Sequence, residues 1–272
     1  MGKLGIIAGG GSLPHQIAKK CLDGERDVFI IAFEGYTDPK TTEGFPHAWV
    51  RLGAVGKTLS LLKDQNVVDL VLAGPVKRPS IADLRPDLSA LNFLRKIGKK
   101  AFGDDGLLSS ILSILEDEGF HVVGADELID SVLVDSGLIA GAIPDNQAEL
   151  DIERGAAVLK ALGGVDVGQA VIIQEGLVLG VEAIEGTDAL LQRCTDLRRE
   201  GPGGVLVKLR KPGQDNRVDL PTIGVDTVIG AAKAGLRGIA VEAGGTMVLD
   251  REAVISESEK SGIFVTAITI IP

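Results

Sequence analysis

Short apolar runs alternate with stretches of helical periodicity along the first half of the chain. The runs are bounded by glycine, proline or charged residues, as buried strands are; they are LGIIA (4–8), DVFIIAF (27–33), DLVLAG (69–74) and HVVGA (121–125). The periodicity predicts helices between them: one with Pro14 near its start, then 56–65, 89–101 and 106–118. Strands that alternate with helices indicate a parallel sheet. We therefore expect a Rossmann-like domain over residues 1–132.

The pattern changes near residue 130. Residues 133–146 have no clear period and contain the turn signal Pro144-Asp145, so we interpret them as a linker. The rest, residues 147–272, is interpreted as a second α/β domain with a mixed sheet. Its predicted elements are a helix over 147–162, a hairpin about Glu175-Gly176, a helix over 187–199, a strand over 205–210, a helix over 227–235, a hairpin around Gly244-Gly245, a helix over 251–260 and a strand over 263–270.

Composition excludes several classes of protein. Apolar residues make up 45% of the chain and charged residues 24%, which excludes intrinsic disorder. Aromatic residues are only 3%, so stacking platforms for single-stranded nucleic acid are not expected. We expect no membrane span, because no apolar run is long enough, and no signal peptide. Cys21 and Cys194 match no metal-ligand spacing and are expected to be reduced, buried thiols.

Charge is unevenly distributed. The net charge of −10 argues against a general DNA-binding face. Residues 75–101, however, contain seven basic and two acidic residues, and residues 193–217 contain seven basic and three acidic ones. Such local cationic segments suit an anionic small molecule or lipid surface, and ordinary solvated helix faces are the alternative interpretation.

Two turns of the first domain are candidates for phosphate binding. Gly10, Gly11 and Ser12 lie where a strand meets a helix, and such a turn exposes backbone N–H groups to an anion. The dinucleotide fingerprint fails at Pro14, so a plain tight turn remains an alternative. The other turn is GPVKRP (74–79), which leaves the carboxyl end of a strand and in which Gly74, Lys77 and Arg78 are candidate substrate-binding residues. Lys77 and Arg78 could clamp a diphosphate or simply be exposed cations.

Carboxylates and hydroxyls occur at two further helix starts. Asp104 and Asp105 precede a helix, where they could hold Mg²⁺ or act as an N-cap. Thr187 and Asp188 occupy a similar junction, where Thr187 is an N-cap candidate and a phosphate could also bind.

The most informative stretch runs from Lys208 to Asp226. It combines cations, amides and carboxylates in one long polar loop, the combination that phosphoester hydrolysis needs. Its candidate substrate-binding residues are Lys208, Lys211, Gln214, Asp215 and Arg217. Asp226 is the first candidate for the catalytic carboxylate, with an N-cap role as the alternative.

Other hydrolytic chemistries find no support in the sequence. The histidines His15, His47 and His121 show no zinc-binding spacing. The chain also lacks a G-x-S-x-G nucleophile elbow, so we do not expect an esterase triad.

Five stretches that span most of the chain carry a resemblance to a known family. They are GIIAGGGSLP (5–14), GPVKRP (74–79), FGDDGLL (102–108), EGLVLGVEAIEGTDALL (175–191) and KLRKPGQDNRVDLPTIGVDT (208–227). In these stretches the chain resembles the UDP-2,3-diacylglucosamine pyrophosphatases of lipid A biosynthesis, in the form unrelated to metallophosphoesterases.

The resemblance implies an activity and a division of labour. The reaction would be Mg²⁺-dependent hydrolysis of UDP-2,3-diacylglucosamine to UMP and 2,3-diacylglucosamine 1-phosphate. The first domain would take the uridine nucleotide and the second the acylated sugar phosphate. The family's essential aspartate falls on Asp226, and Asp104 and Asp105 are the further candidate Mg²⁺ ligands. The resemblance also implies a cytoplasmic homodimer that contacts the inner membrane peripherally.

Two other functions remain as alternatives. A nucleotide-linked oxidoreductase would use the βαβ opening, with Glu34 at the end of the second strand as the ribose-binding carboxylate. A non-catalytic nucleotide or lipid sensor would share the binding features but would not need the loop that ends at Asp226.

Overall fold

The computed structural model describes residues 2–76, 86–97, 104–129, 132–218 and 220–270. The chain divides into two units. The first comprises Met1–Asp130 together with Asp215–Val218, and the second comprises Ser131–Gln214 and Asp219–Pro272.

The first unit contains a parallel sheet. Its described strands are β1 (Lys3–Ala8), β2 (Val28–Phe33), β3 (His47–Val50), β4 (Val67–Ala73) and β5 (His121–Val122), in the order β3-β2-β1-β4-β5. Neighbouring strands run parallel throughout this order. Every residue of β2 is buried, as expected for a strand covered on both faces.

Helices join these strands, as the sequence pattern predicts. They are α1 (Leu13–Asp23), α2 (Val55–Asp64), α3 (Leu88–Ile97) and α4 (Asp104–Asp117). Pro14 lies in the first turn of α1, where the absence of its N–H leaves no intrahelical hydrogen bond unmade. Leu112 and Leu115 of α4 pack with Phe29 and Ile31 of β2 in one apolar core.

The second unit contains a mixed sheet. Its described strands are β6 (Gly137–Ala140), β7 (Ala170–Gln174), β8 (Leu177–Val181), β9 (Val205–Lys208), β11 (Gly238–Glu242) and β13 (Phe264–Ile268), in the order β6-β13-β11-β9-β7-β8. The central strands β9, β11 and β13 are parallel, and β6, β7 and β8 are antiparallel to their neighbours. The short strands β10 (Thr222–Ile223) and β12 (Met247–Val248) form a separate parallel pair.

Helices cover this sheet with two apolar cores. The helices are α5 (Asn146–Gly163), α6 (Thr187–Cys194), α7 (Val225–Lys233) and α8 (Arg251–Ser261). One core contains Leu190 of α6 and Val228 of α7, and the other contains Ile152 of α5. Gly155 lets α5 approach the sheet closely, because a Cβ at this position would lie 2.5 Å from Val207 Cγ2. The predicted α/β class, with one parallel and one mixed sheet, is confirmed.

Several local predictions differ from the structure. The hairpin predicted around Gly244-Gly245 is wrong, because β12 pairs in parallel with β10 and not antiparallel with β11. Residues 133–146, interpreted as a linker, contain β6, which pairs with β13. The helix predicted over 187–199 ends at Cys194 and continues as a short 3-10 turn at Thr195–Leu197. Among the described residues, no helix has both the length and the apolar composition that crossing a bilayer requires.

Both cysteines are free and buried, as the sequence predicts. Burial raises the pKa of the Cys21 and Cys194 thiols above the usual value.

Because the thiolate is the reactive form, we expect both cysteines to react slowly with Ellman's reagent in the native protein and rapidly after denaturation in guanidinium chloride. A rapidly reacting thiol in the native protein would show that one of them is accessible.

Candidate functional site

The strand order of the first unit locates its candidate binding edge. The chain builds β1, β2 and β3 outward in one direction and then places β4 and β5 on the other side of β1. In open α/β sheets, ligands bind outside the carboxyl ends of the strands where the order reverses. That point lies between β1 and β4, which lead into Gly9–Ser12 and into Gly74-Pro75 respectively.

Backbone contacts join these two turns. The N–H of Gly9 donates to the carbonyl of Ala73 at 2.7 Å, and the N–H of Gly10 donates to the carbonyl of Pro75 at 2.9 Å. A Cβ on Gly9 would lie 2.3 Å from the carbonyl oxygen of Gly74, and a Cβ on Gly74 would lie 2.1 Å from that of Gly10. Glycine at positions 9 and 74 is therefore explained by the packing of the turns, and the N–H of Gly10 is already engaged.

Gly11 and Ser12 form the exposed part of this turn. Gly11 adopts a left-handed φ of +74°, where glycine is favoured, and its missing Cβ faces nearly open space. Ser12 precedes α1 without capping it through its side chain, and its hydroxyl accepts a hydrogen bond from Gln16 Nε2 at 3.3 Å. The N-terminus of α1 favours an anion at this position.

Four predicted residues cannot be placed at the level of their side chains. Lys77 and Arg78 lie outside the described residues. Asp104 and Asp105 begin α4, and their side chains also lie outside the described set.

In the second unit, Lys208 and Thr187 come together in a buried cluster. The ammonium group of Lys208 donates to Thr187 Oγ1 at 2.9 Å and to the carbonyl oxygen of Thr222 at 3.0 Å. The Thr187 hydroxyl in turn donates to Glu182 Oε1 at 2.7 Å. Glu182, which is 5% exposed, was missed by the sequence analysis. The available signal was a single carboxylate within the apolar stretch LVLGVEAI (177–184), since buried carboxylates require partners.

Asp226 lies a few residues beyond Thr222, at the start of α7. Gly224 occupies the N-cap position and Asp226 is the second residue of the helix, so the alternative interpretation of Asp226 as the N-cap is wrong. Thr227 closes this turn instead, because its hydroxyl accepts a hydrogen bond from the N–H of Gly224 at 3.3 Å. Asp226 is exposed. Within the described part of the chain, its carboxylate has neither an ion pair nor a hydrogen bond.

Lys211 and Gln214 stabilise the loop that follows β9. The Lys211 ammonium donates to Asp166 Oδ1 at 2.6 Å, and Gln214 Oε1 accepts a hydrogen bond from the N–H of Lys211 at 3.1 Å. Both residues are buried. Their side chains therefore hold the loop in place.

Asp215 and Arg217 pair with each other. The Arg217 guanidinium makes two hydrogen bonds to the carboxylate of Asp215, at 3.0 and 2.8 Å, and one to Glu116 Oε1 at 2.6 Å. The guanidinium lowers the pKa of Asp215, and the two carboxylates raise the pKa of Arg217. Val218 packs against the apolar core of the first unit, which explains why residues 215–218 group with that unit.

Carboxylates also pair with other cations of the segment 193–217. Arg193 pairs with Glu185 at 2.9 Å, Arg199 with Glu175 at 3.8 Å, and Arg210 Nη2 with Glu242 Oε1 at 3.4 Å. The excess of basic residues in the sequence of this segment is thus largely balanced by acidic residues from outside it.

The described residues suit Mg²⁺ only in an open arrangement. No group of three or more His, Cys, Asp or Glu side chains able to hold a metal occurs within the described ranges. Mg²⁺ commonly takes one or two protein carboxylates and fills its remaining positions with water and substrate phosphates. The exposed carboxylate of Asp226 fits such a site as one ligand.

Comparison with known proteins gives a family match over nearly the whole chain. A family model described as the LpxI N-terminal domain matches residues 3–132, and one described as the LpxI C-terminal domain matches residues 135–266. A curated relative from Caulobacter vibrioides, named UDP-2,3-diacylglucosamine pyrophosphatase LpxI, is 41% identical over 275 residues, covering 98% of each chain.

Solved structures add no functional argument. The CobK precorrin-6A reductase is 12% identical with a TM-score of 0.32, covering 100% of this chain and 90% of that one. The UDP-glucose 4-epimerase of Thermus thermophilus, in complex with NAD, is 14% identical with a TM-score of 0.32, covering 99% of this chain and 86% of that one. Neither similarity is high enough to support a conclusion.

The pairing of Arg217 with Asp215 predicts a pH-dependent contribution to stability. Because the pKa of Asp215 is lowered in the folded protein, the stabilisation is fully present above the unfolded pKa of about 3.9 and is lost as the pH falls through the folded value. We expect Arg217→Met to lower the free energy of unfolding by up to about 1 kcal/mol at neutral pH, the range for partly exposed ion pairs, and by less in acid. Denaturant titrations at several pH values measure this.

Arg199→Met is the matched control. Its pair with Glu175 is longer, at 3.8 Å, and more exposed, so its effect on the free energy of unfolding should be smaller. A loss in Arg217→Met that stays constant or grows toward acid pH would contradict this role of the pair.

Proposed function

The chain belongs to the LpxI family, and we propose that it hydrolyses the pyrophosphate bond of UDP-2,3-diacylglucosamine to give UMP and 2,3-diacylglucosamine 1-phosphate in lipid A biosynthesis. Both family domains match it, and its Caulobacter vibrioides relative is named for this activity. The oxidoreductase and sensor alternatives are not favoured, because no observation on the described residues supports either of them over the activity of this family.

One structural observation carries the assignment of a catalytic role to Asp226. It is an exposed carboxylate in the first turn of α7, without a partner in the described part of the chain, while many charged residues around it in the sequence are engaged in pairs. A carboxylate that acts on a reacting water or holds a metal must be accessible to its ligand. Asp226 meets this requirement.

The reaction proceeds by attack of water on one phosphorus of the bridge. The bond from that phosphorus to the bridging oxygen breaks, one phosphate remains on UMP, and the other remains on the acylated sugar. Asp226 orients the attacking water and accepts its proton, and its carboxylate would also hold the metal. The N-terminus of α7 favours the negative charge that develops on the phosphate oxygens.

The proposal assigns the two ends of the substrate to different units. The uridine nucleotide binds at the β1–β4 edge of the first unit, where Gly11 and Ser12 present the start of α1 and where Gly74, Lys77 and Arg78 follow β4. The acylated sugar phosphate binds to the second unit, near Asp188 and Asp226. Thr187 and Lys208 shape this second region through their hydrogen bonds to each other and to Thr222. Lys211 and Gln214 hold the loop that follows β9.

Mg²⁺ is part of the proposal. Asp226 would hold it, with Asp104 and Asp105 as further candidate ligands, and the bound ion would neutralise charge on the phosphates of the bridge. Few protein ligands would leave coordination positions of the ion free, and the substrate phosphates would help to fill them.

Peripheral contact with the inner membrane and a homodimer also belong to the proposal. The two acyl chains of the substrate support contact with a lipid surface. The segment 193–217 gives limited support, because carboxylates balance most of its cations. The basic segment 75–101 is the better candidate for anionic lipid, on the basis of its sequence.

Substitution of Asp226 tests its catalytic role. We expect Asp226→Asn to lower the rate of UMP release by at least about two orders of magnitude, as loss of a group acting on the reacting atoms does. The free energy of unfolding should change by less than about 1 kcal/mol, because only an interaction with the helix dipole is lost. Chromatographic assay of UMP and denaturant titration measure the two quantities.

Glu252→Gln is the matched control for Asp226→Asn. Glu252 is also an exposed carboxylate at the second position of a helix in the same unit, in this case α8. It should leave turnover unchanged. An Asp226→Asn protein that retains wild-type turnover would remove Asp226 from the mechanism.

Chelation tests the role of Mg²⁺. We expect EDTA to stop UMP release and added Mg²⁺ to restore it, because the ion would neutralise phosphate charge in the reaction. Hydrolysis that continues at its full rate after exhaustive dialysis against EDTA would exclude the ion from the proposal.

A further inference from the structure

We propose that Lys208, Thr187 and Glu182 form a positioning network that fixes strand β10 and thereby the start of α7, where Asp226 lies. This inference rests on the proposed function, since it concerns the geometry of that site. It gives Thr187 and Lys208 a positioning role in place of the substrate-binding role expected from the sequence.

The base of the network is rigid because Lys208 belongs to the centre of the sheet. Its backbone lies between β7 and β11, opposite Ala170 on one side and Val241 on the other. All residues of β9 are buried. A side chain anchored there is well suited to hold a neighbouring segment in a defined place.

The carbonyl of Thr222 is the point at which Lys208 holds β10. The carbonyls on either side of it, those of Pro221 and Ile223, accept hydrogen bonds from the N–H groups of Met247 and Leu249 at 2.8 and 2.9 Å. The carbonyl of Thr222 faces away from β12 and instead accepts the hydrogen bond from Lys208 Nζ. Lys208 thus fixes the opposite side of a strand that has only two residues.

The network contains one cation and one carboxylate, both buried. Lys208 is 6% exposed and Glu182 is 5% exposed, and the Thr187 hydroxyl bridges them by accepting from the ammonium and donating to the carboxylate. The second carboxylate oxygen of Glu182 accepts a hydrogen bond from the N–H of Gln169 at 2.9 Å. Burying both charges is unfavourable unless such partners are present. The network therefore contributes little to the free energy of folding, but it requires one defined arrangement of its side chains.

Asp226 is connected to this network through a short length of chain. Thr222 and Ile223 form β10, Gly224 caps α7, and the carbonyl of Gly224 accepts hydrogen bonds from the N–H groups of Thr227 and Val228. A displacement of β10 therefore moves the first turn of α7. A misplacement of about 1 Å in a reacting group can lower the rate about 100-fold.

The test uses Thr187→Val and Lys208→Met, which remove the hydroxyl and the ammonium at similar side-chain volume. We expect each to lower kcat about 100-fold with little change in KM for UDP-2,3-diacylglucosamine, after correction for the folded fraction. Thr187→Ser keeps the hydroxyl and should restore most of kcat. Amide hydrogen exchange over residues 222–228 should be faster in Thr187→Val and Lys208→Met than in the wild type.

Thr266→Val is the matched control, because it also removes a buried threonine hydroxyl, one that donates to the carbonyl of Gly137 at 3.2 Å in the same sheet. It should leave kcat and the exchange of residues 222–228 unchanged. A raised KM with unchanged kcat in Lys208→Met would show direct substrate binding and overturn the proposal, as would unchanged exchange over 222–228. If the wild-type protein releases no UMP, the proposed function fails, while the exchange measurement still decides whether the network fixes β10.

Discussion

The hydrogen bond from the buried ammonium of Lys208 to the carbonyl of Thr222 is the interaction on which the geometry of the candidate site depends. It joins the buried strand β9 to a two-residue strand whose neighbouring carbonyls, those of Pro221 and Ile223, bond to β12 on the other side. Because α7 begins directly after that strand, the bond connects a rigid core to an exposed carboxylate. Buried charges thus define positions, while the carboxylate of Asp226 remains exposed.

This division also explains the loop between β9 and α7. Its sequence is rich in charge, yet Lys211, Asp215 and Arg217 are paired with carboxylates or cations of the protein. Such pairs contribute little to stability when exposed, but they give a long polar loop a defined course. The charged side chains of this loop therefore include structural elements of the loop itself.

The sequence predicted most of the fold and made Asp226 the first catalytic candidate, but it did not predict the relations between distant residues. Apolar runs identified β1, β2 and β4 because a strand buried on both faces has a local signature. The parallel pairing of β10 with β12 has no such signature, since each strand is two residues long and the partners are far apart in the chain. The same holds for Glu182, whose role depends on Thr187 and Lys208, and for the N–H of Gly10, which is engaged by the turn after β4.

We propose that water cleaves the pyrophosphate bridge of UDP-2,3-diacylglucosamine. Hydrolysis by the wild-type protein in water labelled with heavy oxygen, followed by mass spectrometry of both products, tests this most directly. We expect one labelled oxygen in the phosphate of either UMP or the sugar phosphate, and its location identifies the phosphorus that is attacked. Absence of the label from both products, or no cleavage of the bridge, would show that the protein does not catalyse this hydrolysis.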